Sequence, residues 1–133
     1  MNIKLLYFLI AIVLFLWIIG CRKELPVEIE QGTIDNVNAF ITITSPQTGD
    51  TFKPGDWLQI RWGSSTSIDR IKIELYNNNV LRAILTDHYL NSGVYQWGIP
   101  FAMPLSNKYK LRIISTRDTS IYSYSGTFKI INQ

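Results

Sequence analysis

Apolar and polar positions divide the chain into two regimes. From Leu5 to Ile19 all fifteen residues are apolar, with no alternation. From Ala39 onward the pattern takes a period of two, in short β-branched and aromatic runs separated by turn residues about every 8 to 12 positions. Successive strand residues point to opposite faces, so each run predicts a strand with one side turned to a core. Phe40 to Thr44 is the first, and Trp57 to Trp62 the second, with Leu58, Ile60 and Trp62 inward and Trp57, Gln59 and Arg61 outward. Arg70 to Tyr76 follows, with Ile71, Ile73 and Leu75 inward and Lys72, Glu74 and Tyr76 outward. Val80 to Thr86 is a fourth strand of undefined phase, because neither alternate set is cleanly polar. The fifth puts Tyr95, Trp97 and Ile99 on one face and ends at Pro100. Lys108 to Ser115 buries Tyr109, Leu111 and Ile113, and a seventh strand through Gly126 to Ile131 buries Phe128 and Ile130.

Turn residues punctuate these runs in chemically specific ways. Pro54-Gly55 suits a turn in which Pro fixes φ at the second position and Gly supplies positive φ at the third. Asn77-Asn78-Asn79 suits a hairpin reversal, since Asn tolerates the left-handed region. Tyr109 fits a tyrosine corner, its hydroxyl bonding a nearby backbone group. Seven strands in the 95 residues from Ala39, with no amphipathic helix, predict an all-β, Ig-like or fibronectin-like sandwich. A closed barrel ranks second.

The apolar run near the start is a different object. A bilayer core takes about 20 apolar residues in a helix, so the run after Lys4 is short for a permanent span and reads as a signal peptide. Its end, Ile18-Ile19-Gly20-Cys21, resembles the bacterial lipobox. That resemblance implies cleavage after Gly20 and a diacylglyceryl group on the Cys21 sulfur. Two or three acyl chains anchor stably, at about 0.8 kcal/mol per buried methylene, so the mature protein would be tethered to a membrane without spanning it. The alternative is an uncleaved signal anchor, to which Arg22 and Lys23 lend weight, because basic residues after an apolar run resist export. The expected organisation is a leader over residues 1–20, a lipidated Cys and extended linker over 21–38, and the sandwich over 39–133.

Composition narrows the chemistry. Cys21 is the only Cys and His88 the only His, which excludes a disulfide framework and most zinc or His-dependent nucleophilic sites. From Ala39 onward ten Lys and Arg face six Asp and Glu, an excess of four that is too small and scattered for a nucleic-acid footprint. Asp50, Asp56, Asp87 and Asp118 fall in turns without a calcium-loop pattern, and they read as solvated turn carboxylates. Asp87-His88 makes no catalytic pair, since adjacent strand residues point to opposite faces and no nucleophile is at hand. The reading is a non-enzyme with no cofactor and no metal.

The ordered pieces Ile43-Thr44-Ser45-Pro46 with Gly49-Asp50, Lys53-Pro54-Gly55-Asp56, Ile60-Arg61-Trp62, Ile73-Glu74-Leu75-Tyr76, Ser92-Gly93-Val94-Tyr95-Gln96-Trp97, Tyr109-Lys110-Leu111-Arg112-Ile113 and Tyr124-Ser125-Gly126-Thr127-Phe128-Lys129-Ile130 carry a further signal. Together they resemble the Ig-like N-terminal domain of the serine/threonine-rich, GPI-anchored cell-wall proteins of fungi, a family with bacterial relatives. The resemblance implies a β-sandwich at a cell surface, involved in wall polysaccharide organisation, and supplies no catalytic residues. The expectation is an N-terminal anchor in place of the serine/threonine-rich stalk and hydrophobic tail of the fungal pattern.

Trp57, Gln59 and Arg61 have the makings of a sugar platform, in which an aromatic face stacks on pyranose C–H groups and flanking polar side chains bind hydroxyls. Tyr76 and Tyr95, from other strands, extend it. The plainer reading is that Trp57 covers a sandwich edge. The expectation is a lipid-anchored cell-envelope protein, periplasmic or at the cell surface, whose sandwich binds an envelope glycan. The alternative is a structural accessory that binds another envelope protein through an exposed sheet edge.

Overall fold

A computed structural model describes residues 38–132. The leader, Gly20, Cys21 and all but the last residue of the linker lie outside the described residues. Nine strands run in order: β1 (Ile41–Ser45), β2 (Thr51–Phe52), β3 (Trp57–Ser64), β4 (Arg70–Asn77), β5 (Val80–Leu90), β6 (Val94–Gly98), β7 (Ser106–Ser115), β8 (Tyr122–Tyr124) and β9 (Phe128–Ile130). One sheet has the order β1-β3-β6. The other has the order β2-β9-β7-β4-β5, with β8 also paired to β7. The chain crosses between sheets after β1, β2, β3, β5 and β6, which interlocks the two layers into an Ig-like, fibronectin-like sandwich.

All seven expected strands are present, and two short ones are added. β2 pairs parallel with β9 through two residues, and β8 pairs antiparallel with β7 through three, lengths at which alternation carries no signal. The seventh expected strand is shorter than predicted, because Ser125 to Thr127 interrupts the edge of β7. There Ser125 N donates to Leu111 O at 2.9 Å and Leu111 N to Ser125 Oγ at 2.8 Å. Gly126 lies so close to the backbone of Gln47 and Thr48 that a Cβ would collide with both.

Phase and burial agree wherever one face is covered. Leu58, Ile60 and Trp62 of β3 are buried against Ile71, Ile73 and Leu75 of β4 and Tyr109, Leu111 and Ile113 of β7, with Phe128 and Ile130 of β9 closing the core. Each such side chain contributes about 1.5–3 kcal/mol by leaving water. The turns follow the predicted chemistry. Asp56 N donates to Lys53 O at 3.1 Å with Gly55 at φ 93°, and Asn78 and Asn79 sit at φ 51° and 63° in a two-residue loop closing the Asn77–Val80 pair. The Tyr109 hydroxyl donates to Pro104 O at 2.7 Å, the tyrosine-corner contact.

The split between β1 and β2 positions the candidate site. β1 pairs only with Arg61 to Ser64 of β3, after which the chain passes through buried Pro46 to the other sheet. Trp57 to Ile60 therefore have β6 on one side and, among the described residues, no strand on the other.

Candidate functional site

Trp57, Gln59 and Arg61 occupy alternate positions of β3 and are all exposed, on the outer face of the three-stranded sheet. Cross-strand register sets Gly98, Gln96 and Val94 of β6 opposite them. Gly98 decides the pose of the indole. A Cβ there would stand 3.3, 3.4 and 3.6 Å from Cζ3, Cη2 and Cε3 of Trp57. Three adjacent ring atoms at nearly equal distance describe face-on contact, since an edge-on ring would leave the flanking atoms much farther away than the nearest. The benzo ring thus lies flat over the Gly98 backbone, and the indole remains 69% exposed.

At Gly55, two residues before Trp57, a second aromatic contact of this kind is made. Phe101 is 87% exposed and rests its ring against Gly55. That contact is held in place by the backbone, because Gly55 N donates to Ile99 O and Ile99 N to Asp56 O, each at 2.8 Å. The strip therefore has an aromatic end, at Phe101 and Trp57, and a polar end at Gln59, Gln96 and Arg61. At the polar end Arg61 Nε and Nη2 both donate to Gln59 Oε1, at 3.0 and 2.6 Å. Beside it the open half-edge of β3 forms a cleft of about 380 Å³ lined by Ser45, Asp50, Thr51, Phe52, Leu58, Gln59 and Arg61. Ser45 Oγ donates to Gln59 O at 2.9 Å across its floor.

Gly98, Gln96 and Phe101 are not among the sequence-derived candidates. The available signal was a glycine inside a strand pattern, which marks close approach of another group. Its partner depends on register between strands, which one strand's alternation does not contain.

Tyr95 and Tyr76 do not extend this surface. Tyr95 pairs with Ile60, points to the core side, meets Tyr89 edge to face at 5.0 Å and donates its hydroxyl to Leu85 O at 3.2 Å. Its own phase with Trp97 requires this, since residues two apart share a face. Tyr76 is on the outer face of the other sheet, in a cluster with Lys72, Glu74, Lys110, Arg112, Tyr122 and Tyr124. Glu74 is only 5% exposed although its strand phase is outward. Burial pushes its carboxyl up, but hydrogen bonds from Lys72 Nζ at 2.6 Å and the Tyr76 hydroxyl at 2.9 Å, with the charges of Lys72 and Arg112, outweigh burial and hold it below the ordinary range. The Tyr76 hydroxyl is pushed up, first by burial and then by its bond to Glu74. Arg112 stacks over Tyr122 at 4.8 Å. The Tyr124 ring meets those of Tyr76 and Tyr122 at 72° and 81°, so it shares a plane with neither. The polar groups of this cluster are largely spent on one another.

Three of the four carboxylates expected in turns serve turns, whereas Asp87 lies within β5. Asp50 Oδ2 accepts from Gln47 N at 2.8 Å, Asp56 Oδ2 from Lys53 N at 2.7 Å, and Asp118 Oδ1 from Ser120 N at 2.9 Å. Among the described residues no three His, Cys, Asp or Glu side chains gather closely enough to hold a metal ion.

Comparisons with known proteins bear on the domain as a whole. No curated protein matched the chain. Among solved structures, the fibronectin(III)-like modules of Clostridium thermocellum CbhA are similar at 16% identity and a TM-score of 0.41, covering 69% of this chain and 93% of that one. The profile described as the Kre9/KNH-like N-terminal Ig-like domain matches residues 45–130. That span runs from the end of β1 to the end of β9 and takes in both sheets. With well over half of its length matched, the chain belongs to the Kre9/KNH-like Ig-like domain family.

Proposed function

We propose that this protein is a lipid-anchored, non-catalytic carbohydrate-binding module of the cell envelope. The observation that carries the proposal is the Trp57 indole, laid flat on Gly98 with its other face open to water. A flat, solvent-facing aromatic ring suits the apolar face of a pyranose, and a ring already pinned in its bound pose loses little freedom on binding. Phe101 adds a second ring at the same end, and Gln59, Gln96 and Arg61 offer hydroxyl partners along the strip. The family resemblance, with its implied role in wall polysaccharide organisation, points the same way. Lipid on Cys21, after cleavage at Gly20, would hold the domain at the membrane, periplasmic or surface-facing, with the linker as spacer.

The test has two arms. The full-length protein is expected to bind envelope polysaccharide in a pull-down and a glycan array, and Trp57→Ala to lose at least tenfold in affinity with its folding transition intact. The wild-type protein is expected to begin at an acylated Cys21 by mass spectrometry, and Cys21→Ser to lack both the acyl mass and the cleavage. Unchanged binding in Trp57→Ala defeats the first arm, and a wild-type protein that keeps Met1 and carries no acyl mass defeats the second. A second reading, docking of another envelope protein, is favoured by one observation. Leu81, Ile84, Tyr122 and Tyr124 are exposed on the outer face of the larger sheet. Co-purification of one partner, with no signal on the array, would favour it.

A further inference from the structure

The saccharide platform leaves open what kind of saccharide it takes, and Arg61 bears on that. A guanidinium has five N–H donors in a planar fork. Two of them, on Nε and Nη2, are spent on the single acceptor Gln59 Oε1. Gln59 lies two residues away on the same strand face, so it fixes the plane and direction of the Arg61 head group. Of the remaining three donors, two lie along the Nη1–Nη2 edge, the geometry that receives a carboxylate through two parallel hydrogen bonds, and the third points back toward Cδ. Nothing in the described residues fills that edge. Arg61 makes no salt bridge among them, and its cross-strand neighbours are Ser45 and Val94. Asp50 lines the same cleft, but its Oδ2 accepts from Gln47 N in the turn before β2. A neutral amide holding an unpaired cation in a set orientation is an arrangement prepared for an anion from outside.

We infer, resting on the reading of Trp57 as a sugar platform, that the ligand is an acidic oligosaccharide whose uronic-acid carboxylate is received by Arg61. Trp57 and Arg61 are four residues apart on one strand face, about 13 Å of backbone. The ring that stacks on Trp57 and the ring that carries the acid are therefore different sugars of one chain, lying along β3 from the aromatic to the polar end. Gln59 is a positioning residue in this scheme and contributes through the orientation of Arg61.

The experiment is isothermal titration of the full-length protein with matched pairs of oligosaccharides: oligoglucuronate, oligogalacturonate and oligomannuronate of six sugars, each against its neutral counterpart of the same linkage. A sulfated form of the neutral chain serves as a third arm. At least one uronate is expected to bind about tenfold or more tightly than its neutral partner, as one charge-assisted bidentate pair allows, with the preference shrinking at high salt. Arg61→Gln should erase the preference, the uronate losing about tenfold more affinity than its neutral counterpart. Gln59→Glu, which sets a carboxylate against Arg61, should erase it too, and Trp57→Ala should weaken acidic and neutral chains alike. Equal binding of uronate and neutral chains, or a preference that survives Arg61→Gln, overturns the inference and leaves the platform standing. Tighter binding of the sulfated chain overturns the carboxylate assignment. Failure of every oligosaccharide to bind the wild-type protein overturns the platform and the inference together.

Discussion

Single residues set the character of each face. Gly98 controls the Trp57 pose without itself offering a contact to a ligand, so the residue to change is the one beneath the ring. Gly98→Val should lift the indole off the strand and lower saccharide affinity several-fold, while unfolding by urea shifts by less than about 1 kcal/mol, because both positions are at the surface. Phe101→Ala should weaken binding more modestly and leave stability unchanged. On the opposite face Glu74 is a stability residue. Its folded-state pKa is below the unfolded one, so its contribution is complete above the usual carboxylate range and is lost as pH falls through the folded value. Glu74→Gln is expected to cost about 1–3 kcal/mol at neutral pH and to flatten the loss of stability as pH falls through and below the ordinary carboxylate range, as read from urea midpoints. An unchanged pH slope would show that the carboxylate is not held by its neighbours.

At the scale of elements, legibility depended on whether a strand keeps one phase. β3, β4 and β7 do, since each has one face sealed in the core, and their inward residues were readable one by one. β5 does not. Its eleven residues pair with the eight of β4 through three register shifts, so three extra residues reset the alternation. That is why neither half of the Val80 to Thr86 pattern looked polar. The platform was legible to the same extent: the outward set of β3 followed from its own phase, whereas Gly98, Gln96 and Phe101 required knowledge of which strand lies beside it. Tyr95 lies on the core side with Trp97, so its phase and not its aromatic character is the guide to its face. Turns were the most readable elements, since their chemistry is local. Asn79→Gly should leave the hairpin intact and raise stability by a few tenths to about 1 kcal/mol, whereas Asn78→Val should lower it by about 1–2 kcal/mol, β-branching being costly at positive φ.

For the molecule as a whole, the two outer sheet faces differ: one holds pinned aromatics and an oriented cation, the other a knot of tyrosines around Glu74 whose polar groups pair largely with one another. The long edge of β5 is where association between copies would begin, since Val80, Leu81, Ile84 and Leu90 are all exposed there. Its register shifts, together with exposed Arg82, Asp87 and His88, keep that edge from offering a flat ladder. Replacing Arg82 and Asp87 together by Val should raise self-association above that of the wild type at the same concentration, as read by light scattering. The contrast among tryptophans gives the molecule an optical property as well. Trp62 and Trp97 are sealed in the sandwich while Trp57 stands in water, so within the described residues a single indole dominates the red edge of the emission and yields to acrylamide. A sugar settling on it would turn that fluorescence bluer and shelter it from the quencher, so occupancy could be followed by light alone, without a label.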